Sequence, residues 1–223
     1  MRIGWVGTGI MGLSMAGHLL DAGHELTVTT RTAQRARPLL ERGATWADSP
    51  AAVGDGAEAV FTMLGYPSDV REVVLGSDPA HPGLLDAMAP GSLLVDTTTS
   101  EPSLAVEIHA AAAARGVQAL DAPVSGGDVG AREATLAIMA GGEPEAFERA
   151  RPLLQAMGRA VTLQGGPGAG QHTKMVNQIA IAAGIVGVCE ALLYAAESGL
   201  DVERAVETIA GGAAGSWSLT NYG

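Results

Sequence analysis

The chain has 223 residues, of which 47% are hydrophobic and 17% charged, so we expect a folded protein and exclude global disorder. Its formal charge of -11 argues against a nucleic-acid partner or an anionic membrane surface. The single cysteine, Cys189, excludes an internal disulfide and a cysteine-based zinc site, and we expect it to be a buried apolar residue. We predict no metal cofactor. The apolar run at the N-terminus is too short for a signal peptide, so the expected location is cytoplasmic.

The first residues are typical of a strand, a glycine turn and a helix. Residues 3–6 are apolar, the turn GTGIMG follows, and residues 13–22 have helical apolar spacing. Gly7 permits the turn, Gly9 lets the backbone approach a pyrophosphate, and Gly12 allows close helix packing. With a second strand at 25–30, this pattern predicts a Rossmann fold whose turn contacts a dinucleotide through Gly7, Thr8, Gly9, Ile10, Met11 and Gly12.

Arg31 and Thr32 follow the second strand, where an NAD-selective site would place a carboxylate. A guanidinium fork beside a hydroxyl binds a 2′-phosphate, whereas a carboxylate repels it. We therefore predict that NADP(H) is preferred over NAD(H). The alternative is a solvated Arg31 and a Thr32 that only caps the next helix.

Strands and helices then alternate, which predicts a doubly wound, mainly parallel α/β sheet covered by helices on both faces. Ligands bind such sheets beyond the carboxyl ends of the strands. The predicted helices are 33–42, 67–75, 102–115 and 143–157, and the later strands are 57–64, 92–96, 134–140 and 159–163. The residues that follow strands, and are therefore candidates, include Met63, Leu64, 96–99 and 121–127.

Two of these strand ends carry hydroxyl groups. In the run 97–100, TTTS, one residue is expected to cap the helix that begins near Glu101, and the others are available to a ligand. Ser125 precedes Gly126 and Gly127, and a hydroxyl with exposed backbone N–H groups forms a concavity suited to a carboxylate. The alternative for this second segment is a plain glycine loop.

From residue 165 onward the strand pattern stops, so we divide the chain into a Rossmann domain, 1–164, and an all-helical domain, 165–223. A long apolar helix opens the second domain, and a short helix, 201–210, and a small-residue tail ending at Gly223 follow. The long helix approaches membrane-spanning length, but its polar residues favour a helix buried between domains or subunits. Its first turns carry Lys174, the only lysine among 13 cationic residues, which is either a functional amine or an ordinary helix-end lysine.

Four stretches together resemble the β-hydroxyacid dehydrogenase family, which includes 3-hydroxyisobutyrate dehydrogenase, tartronate semialdehyde reductase and the glyoxylate/succinic semialdehyde reductases. They are GTGIMGLSM at 7–15, DTTTSEP at 96–102, DAPVSGG at 121–127 and GAGQHTKMVNQ at 168–178. The resemblance implies an N-terminal Rossmann domain and a C-terminal helical domain joined by the long helix. It also implies hydride transfer between a nicotinamide and a small β-hydroxyacid or semialdehyde.

The resemblance further implies roles for individual residues. Lys174 is expected to be the catalytic acid/base and Thr99 to lie near both nicotinamide and substrate. The other expected substrate contacts are Ser125, Gly126, Gly127, Asn177 and Gln178. Gln178 stands where the family often has Asn, as in the tartronate semialdehyde reductase branch, whereas the Arg31-Thr32 pair resembles the glyoxylate/succinic semialdehyde branch.

Family members usually have a longer helical domain, so apolar faces of the long helix would be exposed in a single copy, and we expect a homodimer or higher homo-oligomer. The alternative function is a catalytically incomplete nucleotide-binding or dimerising module. An imine reductase of similar plan is disfavoured by Lys174.

Overall fold

The structure, a computed structural model, describes residues 1–78 and 80–222; Gly223, where the predicted small-residue tail ends, lies outside the described residues. The chain forms two compact units, Met1–Lys174 and Met175–Gly223. Residues 165–174, which the sequence analysis assigns to the second domain, therefore belong to the first unit. Hydrogen bonds from this segment to Asp121 and to residues near Thr99 explain the difference.

One sheet organises the first unit. In chain order its strands are β1 (Arg2–Val6), β2 (Glu25–Thr29), β3 (Thr45–Trp46), β4 (Ala59–Thr62), β5 (Leu93–Asp96), β6 (Gln118–Asp121), β7 (Val124–Ser125), β8 (Leu136–Gly142) and β9 (Gly158–Gly165). The described strands are ordered β3-β2-β1-β4-β5-β6-β8-β7, with β9 beside β8. β1 to β6 are parallel, whereas β8 is antiparallel to β6 and β7. The predicted doubly wound, mainly parallel sheet is confirmed.

Helices connect these strands. They are α1 (Ile10–Asp21), α2 (Arg37–Leu40), α3 (Pro50–Gly54), α4 (Pro67–Leu75), α5 (Leu84–Ala87), α6 (Pro102–Ala113), α7 (Gly127–Arg132), α8 (Pro144–Gln155) and α9 (Ala169–Glu197). The predicted single helix 33–42 is divided into a 3-10 turn, Ala33–Ala36, and α2. Pro38 has no amide hydrogen to donate to the preceding turn, so the helical ladder is interrupted there.

Alternation along the strands places apolar side chains on both faces of the sheet. Ile3, Trp5 and Phe61 belong to one buried cluster, whereas Val6 and Val60 belong to a second. This is the period of two expected for strands that are buried on both faces. Trp5 and Phe61 stack with ring centroids 5.5 Å apart, which fixes β1 against β4 directly below the glycine turn.

The second unit contains the remainder of α9 with α10 (Val202–Ala210) and α11 (Trp217–Tyr222). α11 occupies part of the segment that the sequence analysis describes as a small-residue tail. By length and composition α9 could cross a membrane, a test that core helices of soluble proteins also pass, and 6% of its most apolar stretch is buried. The expectation that Cys189 is buried is wrong in the isolated chain, where Cys189 is exposed because the described residues leave that part of α9 uncovered.

Candidate active site

The carboxyl ends of five parallel strands meet at one edge of the sheet. Val6 pairs with Thr29 and with Thr62, Thr62 pairs with Asp96, and Asp96 pairs with Asp121. Because these residues are in register, the loops that follow them start side by side. This edge is where open α/β sheets bind ligands.

The glycine turn after β1 has the geometry that a dinucleotide requires. Gly7 has φ +100°, and its carbonyl accepts a hydrogen bond from Trp5 Nε1 at 2.9 Å. A Cβ at Gly12 would overlap the Gly7 carbonyl, whereas a Cβ at Gly9 would meet nothing within 4 Å. Gly12 therefore allows α1 to pack on the turn, and Gly9 leaves open space at the N-terminus of that helix.

A cavity of about 930 Å³ opens beside this turn. Nine of the predicted cofactor residues line it: Gly7, Gly9, Ile10, Met11, Gly12, Arg31, Thr32, Met63 and Leu64. Thr8 and Thr99 are not among the residues that line it. Thr8 is 1% exposed, and its hydroxyl has no hydrogen-bond partner among the described residues.

Charged side chains surround one part of this cavity. Arg31 is exposed and lies 3.6 Å from the Asp69 carboxylate, and Arg35, in the 3-10 turn that follows, also lines the cavity. Thr32 precedes the 3-10 helix but its side chain makes no capping hydrogen bond, which leaves its hydroxyl available to a ligand. Sequence reasoning missed Arg35 and Asp69, which reach the cavity through the fold of two separate segments.

The hydroxyl run after β5 joins two strand ends. The Thr97 hydroxyl donates to the Thr62 carbonyl at 2.6 Å, and the Thr98 hydroxyl accepts from the Leu64 amide at 2.9 Å. The prediction that one residue of this run caps the following helix is wrong, since α6 begins after Glu101 without a side-chain capping bond. The Thr97 and Thr98 hydroxyls bond to groups at the strand ends instead, whereas the buried Ser100 hydroxyl has no hydrogen-bond partner among the described residues. Thr99 alone of the four is exposed.

Ser125 ends the short strand β7, where it pairs with Ala137 of β8. Gly126 and Gly127 follow with φ +135° and +63°, conformations that favour glycine, and both are exposed. The predicted carboxylate-binding loop is thus built on the sheet, and its backbone faces solvent.

Lys174 lies in the second turn of α9 and is only 8% exposed. Burial lowers the pKa of its amine, because removing the ammonium from water disfavours the charged form. A partly desolvated lysine gives up its proton more readily than one in water, which suits it to proton transfer.

Asp121 and Gln171 connect the start of α9 to the strand ends. The Asp121 carboxylate accepts hydrogen bonds from the backbone N–H groups of Gly168 and Gln171, both at 2.8 Å. The Gln171 side chain donates to the Thr98 carbonyl at 2.7 Å and accepts from the Ser100 amide at 2.9 Å. Burial raises the pKa of Asp121, and these backbone donors oppose that rise.

Asp96 is a second buried carboxylate, on the strand beside Asp121. Its Oδ1 accepts from the Thr62 hydroxyl at 2.7 Å and from the Thr98 amide at 3.1 Å. Burial is the largest cause that raises its pKa to about 6, and the neighbouring Asp121 adds to the rise.

The two remaining predicted contacts, Asn177 and Gln178, belong to the second unit. The Asn177 amide donates to Gln178 Oε1 at 2.9 Å. Within the described ranges, no group of three His, Cys, Asp or Glu side chains is arranged to hold a metal.

The parallel sheet, the glycine turn at its carboxyl edge and the adjoining cavity define a dinucleotide-binding protein of the Rossmann type. Residues 2–166 match the family model for the NAD binding domain of 6-phosphogluconate dehydrogenase. Residues 168–223 match the NAD-binding family model of NADP-dependent 3-hydroxyisobutyrate dehydrogenase.

Curated relatives and solved structures agree with these matches. The chain is 52% identical to an oxidoreductase of Bacillus subtilis, over 98% of this chain and 75% of that protein. It is 40% identical to 2-hydroxy-3-oxopropionate reductase of Escherichia coli, over 100% of this chain and 75% of that protein. The Mycobacterium tuberculosis 3-hydroxyisobutyrate dehydrogenase structure with L-serine has a TM-score of 0.87 at 32% identity, covering 100% of this chain and 74% of that one.

The chain belongs to the β-hydroxyacid dehydrogenase family, and it is an NAD(P)-dependent enzyme of the class that acts on CH–OH groups. It spans about three quarters of the length of these relatives.

Proposed function

We propose that this protein is an NADP(H)-preferring reductase of small aldehyde acids, with Lys174 as general acid/base. The substrate class is that of glyoxylate, succinic semialdehyde and tartronate semialdehyde, with 3-hydroxyisobutyrate as a candidate for oxidation. The observation that carries the proposal is the buried position of the chain's only lysine in α9. The first turn of that helix is hydrogen-bonded to Thr98 and Ser100, the residues on either side of Thr99, which we call the Thr99 segment. The names of relatives support the same substrate class.

The described residues fit a nicotinamide dinucleotide, since the space at Gly9 is open and a cavity adjoins the turn. The reduced cofactor, when bound, supplies the hydride. Ser125, with the backbone of Gly126 and Gly127, holds the substrate carboxylate and orients the aldehyde. Lys174 as an ammonium stabilises the charge that develops on the carbonyl oxygen and donates a proton to it.

Preference for NADP(H) is supported by the cations that line the cavity. Arg31 stands where an NAD-selective site would place a carboxylate, and Arg35 lines the same cavity. Asp69 pairs with Arg31 and competes with a 2′-phosphate, but Arg31 is largely exposed, so the pair contributes only about 0.2–1 kcal/mol. A guanidinium offers a 2′-phosphate charge-assisted hydrogen bonds that compete with this pair.

The test is NADPH and NADH oxidation with a panel of glyoxylate, succinic semialdehyde and tartronate semialdehyde, with the reverse reaction measured on 3-hydroxyisobutyrate and L-serine. We expect turnover with at least one aldehyde acid and a lower KM for NADPH than for NADH. A tenfold preference for NADH would contradict the cofactor assignment. Cofactor binding without turnover of any substrate would favour the nucleotide-binding module instead.

Lys174→Ala is expected to lower kcat by about 10²- to 10⁴-fold while NADPH still binds, because only proton transfer is lost.

In wild type, oxidation needs the neutral amine and reduction needs the ammonium. Oxidation should therefore rise, and reduction fall, as pH increases through a Lys174 pKa lying below 10.5. Lys174→Arg keeps the charge but cannot lose its proton, so oxidation should be abolished. Wild-type turnover in Lys174→Ala would rule out the role.

A further inference from the structure

Asp121 receives backbone N–H groups that a helix cannot satisfy by itself. The first amides of an α-helix have no carbonyl partner within that helix, and the Gly168 and Gln171 amides at the start of α9 are directed to Asp121 Oδ1 and Oδ2. The residues are far apart in sequence, with a separation of 50 between Asp121 and Gln171. This contact is therefore a tertiary cap that fixes α9 to the end of β6.

Two glycines make the close approach possible. A Cβ at Gly141 would lie 2.6 Å from Asp121 Oδ1, and a Cβ at Gly170 would lie 2.8 Å from Asp121 Oδ2. Real Cβ atoms do not approach oxygen so closely without displacement of one of them. β8 and the first turn of α9 therefore both need a glycine beside the Asp121 carboxylate.

Gln171 forms a second connection in the same turn. Its side chain is completely buried, and its two hydrogen bonds hold the residues on either side of Thr99. Lys174 follows three residues later, in the next turn of the same helix. A buried amide in a fixed orientation therefore sets the position of the lysine-bearing helix relative to the Thr99 segment.

We infer that Asp121 and Gln171 are positioning residues for the proposed reaction, holding the first turn of α9 so that Lys174 is kept at a fixed place at the carboxyl edge of the sheet. This inference rests on the proposed role of Lys174. Neither side chain needs to touch substrate or cofactor. They act through the backbone, and their effect on catalysis follows from the loss of rate that a misplacement of about 1 Å produces.

The titratable side chains on the elements that pack around this turn include Asp96 on β5, Asp121 at the end of β6, Glu107 and His109 on α6, and His172 on α9 itself. Burial lowers the Lys174 pKa. Release of the first turn should therefore expose the amine and return its pKa toward 10.5. Loss of the Asp121 charge alone would move the pKa the opposite way, because it removes a negative charge.

The chain offers a direct readout because Lys174 is its only lysine. The protein carrying ¹³Cε-labelled lysine gives a single signal, whose pH titration reports the Lys174 pKa without any turnover. We compare wild type with Asp121→Asn, which keeps the shape but exchanges one acceptor for a donor. The matched control is Asp201→Asn in the second unit, where Asp201 caps α10 by accepting from the Arg204 amide. Asn is as good a cap as Asp at that position.

We expect the midpoint of the Lys174 pH titration to rise in Asp121→Asn and to stay unchanged in Asp201→Asn. In the aldehyde assay, kcat of Asp121→Asn should fall by about 10²-fold with KM for NADPH unchanged. A folded Asp121→Asn protein whose lysine titration matches wild type, or whose midpoint falls, would overturn the inference. If Lys174→Ala retains turnover but the midpoint still shifts in Asp121→Asn, the proposed function fails and the positioning stands.

Gln171→Leu provides the second variant, should Asp121→Asn fail to fold. It preserves volume and neutrality while removing both hydrogen bonds to the Thr99 segment. Gln155→Leu, at an exposed position at the end of α8, is its control. The inference requires that the midpoint of the Lys174 pH titration rises and kcat falls in Gln171→Leu but not in Gln155→Leu. Equal titration midpoints and equal kcat in the two variants would refute it.

Discussion

At the scale of single residues, Asp96 is a carboxyl group whose ionised form the fold disfavours. Its carboxylate accepts hydrogen bonds from the Thr62 hydroxyl and from the amide and hydroxyl of Thr98, yet burial raises its pKa from 3.8 to about 6. A group whose pKa is raised on folding binds its proton more tightly in the native state. The protein therefore loses stability from this group as pH rises from 3.8 to about 6.

Asp96→Asn should remove this cost, since it carries no charge and its amide oxygen can still accept from the Thr62 hydroxyl and the Thr98 amide. We expect its free energy of unfolding at pH 8 to exceed that of wild type by up to about 3 kcal/mol, and the two curves to converge near pH 4. Urea unfolding at both pH values measures the difference, with exposed Asp55→Asn as the control. A variant less stable than wild type at pH 8 would show that the carboxylate has a structural role of its own.

At the scale of elements, two glycines of the turn after β1 meet different requirements, one for helix packing and one for cofactor binding. Gly12 is needed by the fold because a Cβ there overlaps the Gly7 carbonyl, whereas Gly9 faces open space. Gly12→Ala should lose about 1–3 kcal/mol of stability. Gly9→Ala should keep wild-type stability and lose cofactor affinity, because its methyl group occupies the pyrophosphate site.

Thermal unfolding and NADPH titration of the two variants measure both quantities. Each variant is the control for the other, since the substitution is the same and only its place in the turn differs. Equal loss of stability in both variants would contradict the division of roles.

The sequence predicted the long elements and missed the short ones. Apolar runs and helical spacing identified the mainly parallel sheet of a Rossmann fold and α4 with its observed bounds. β3 and β7 have two residues each, too few for any periodicity, and they exist because neighbouring strands offer partners. The predicted helix 33–42 is longer than α2 because Pro38 divides that segment into a 3-10 turn and α2.

Some residues of the candidate site could be predicted from local sequence spacing, and others depend on tertiary contacts. Gly7, Gly9 and Arg31 lie where local spacing placed them, along one cavity. The contact between Asp121 and Gln171 depends on tertiary packing, and no pattern within either segment indicates it. Cys189 was expected to be buried because its neighbours are apolar, but apolar composition does not tell whether a helix is covered by its own chain.

At the scale of the whole molecule, the second unit exposes large apolar side chains on α9. Ile179 is 70% exposed, Leu193 63% and Tyr194 73%. Soluble proteins rarely leave contiguous apolar surface of this kind uncovered. A second copy that buries it remains our prediction, with the membrane as the competing partner.

Size-exclusion chromatography with light scattering in detergent-free buffer tests this prediction. Wild type should elute as a dimer or larger assembly, because the apolar helix surface is buried between copies. Ile179→Gln with Leu193→Gln should shift it toward monomer, whereas Val106→Gln, at an exposed position of the first unit, should not. A monomeric wild type, or one soluble only in detergent, would contradict the homo-oligomer.

The stacked Trp5 has an optical consequence. Its indole is fully buried and donates a hydrogen bond to the carbonyl of Gly7, the first glycine of the cofactor turn. Emission from Trp5 should therefore respond when a dinucleotide occupies that turn, and a reduced nicotinamide nearby should accept its excitation energy. The protein thus contains an intrinsic fluorophore at the place where its cofactor is expected, so binding can be followed without a label or a substrate.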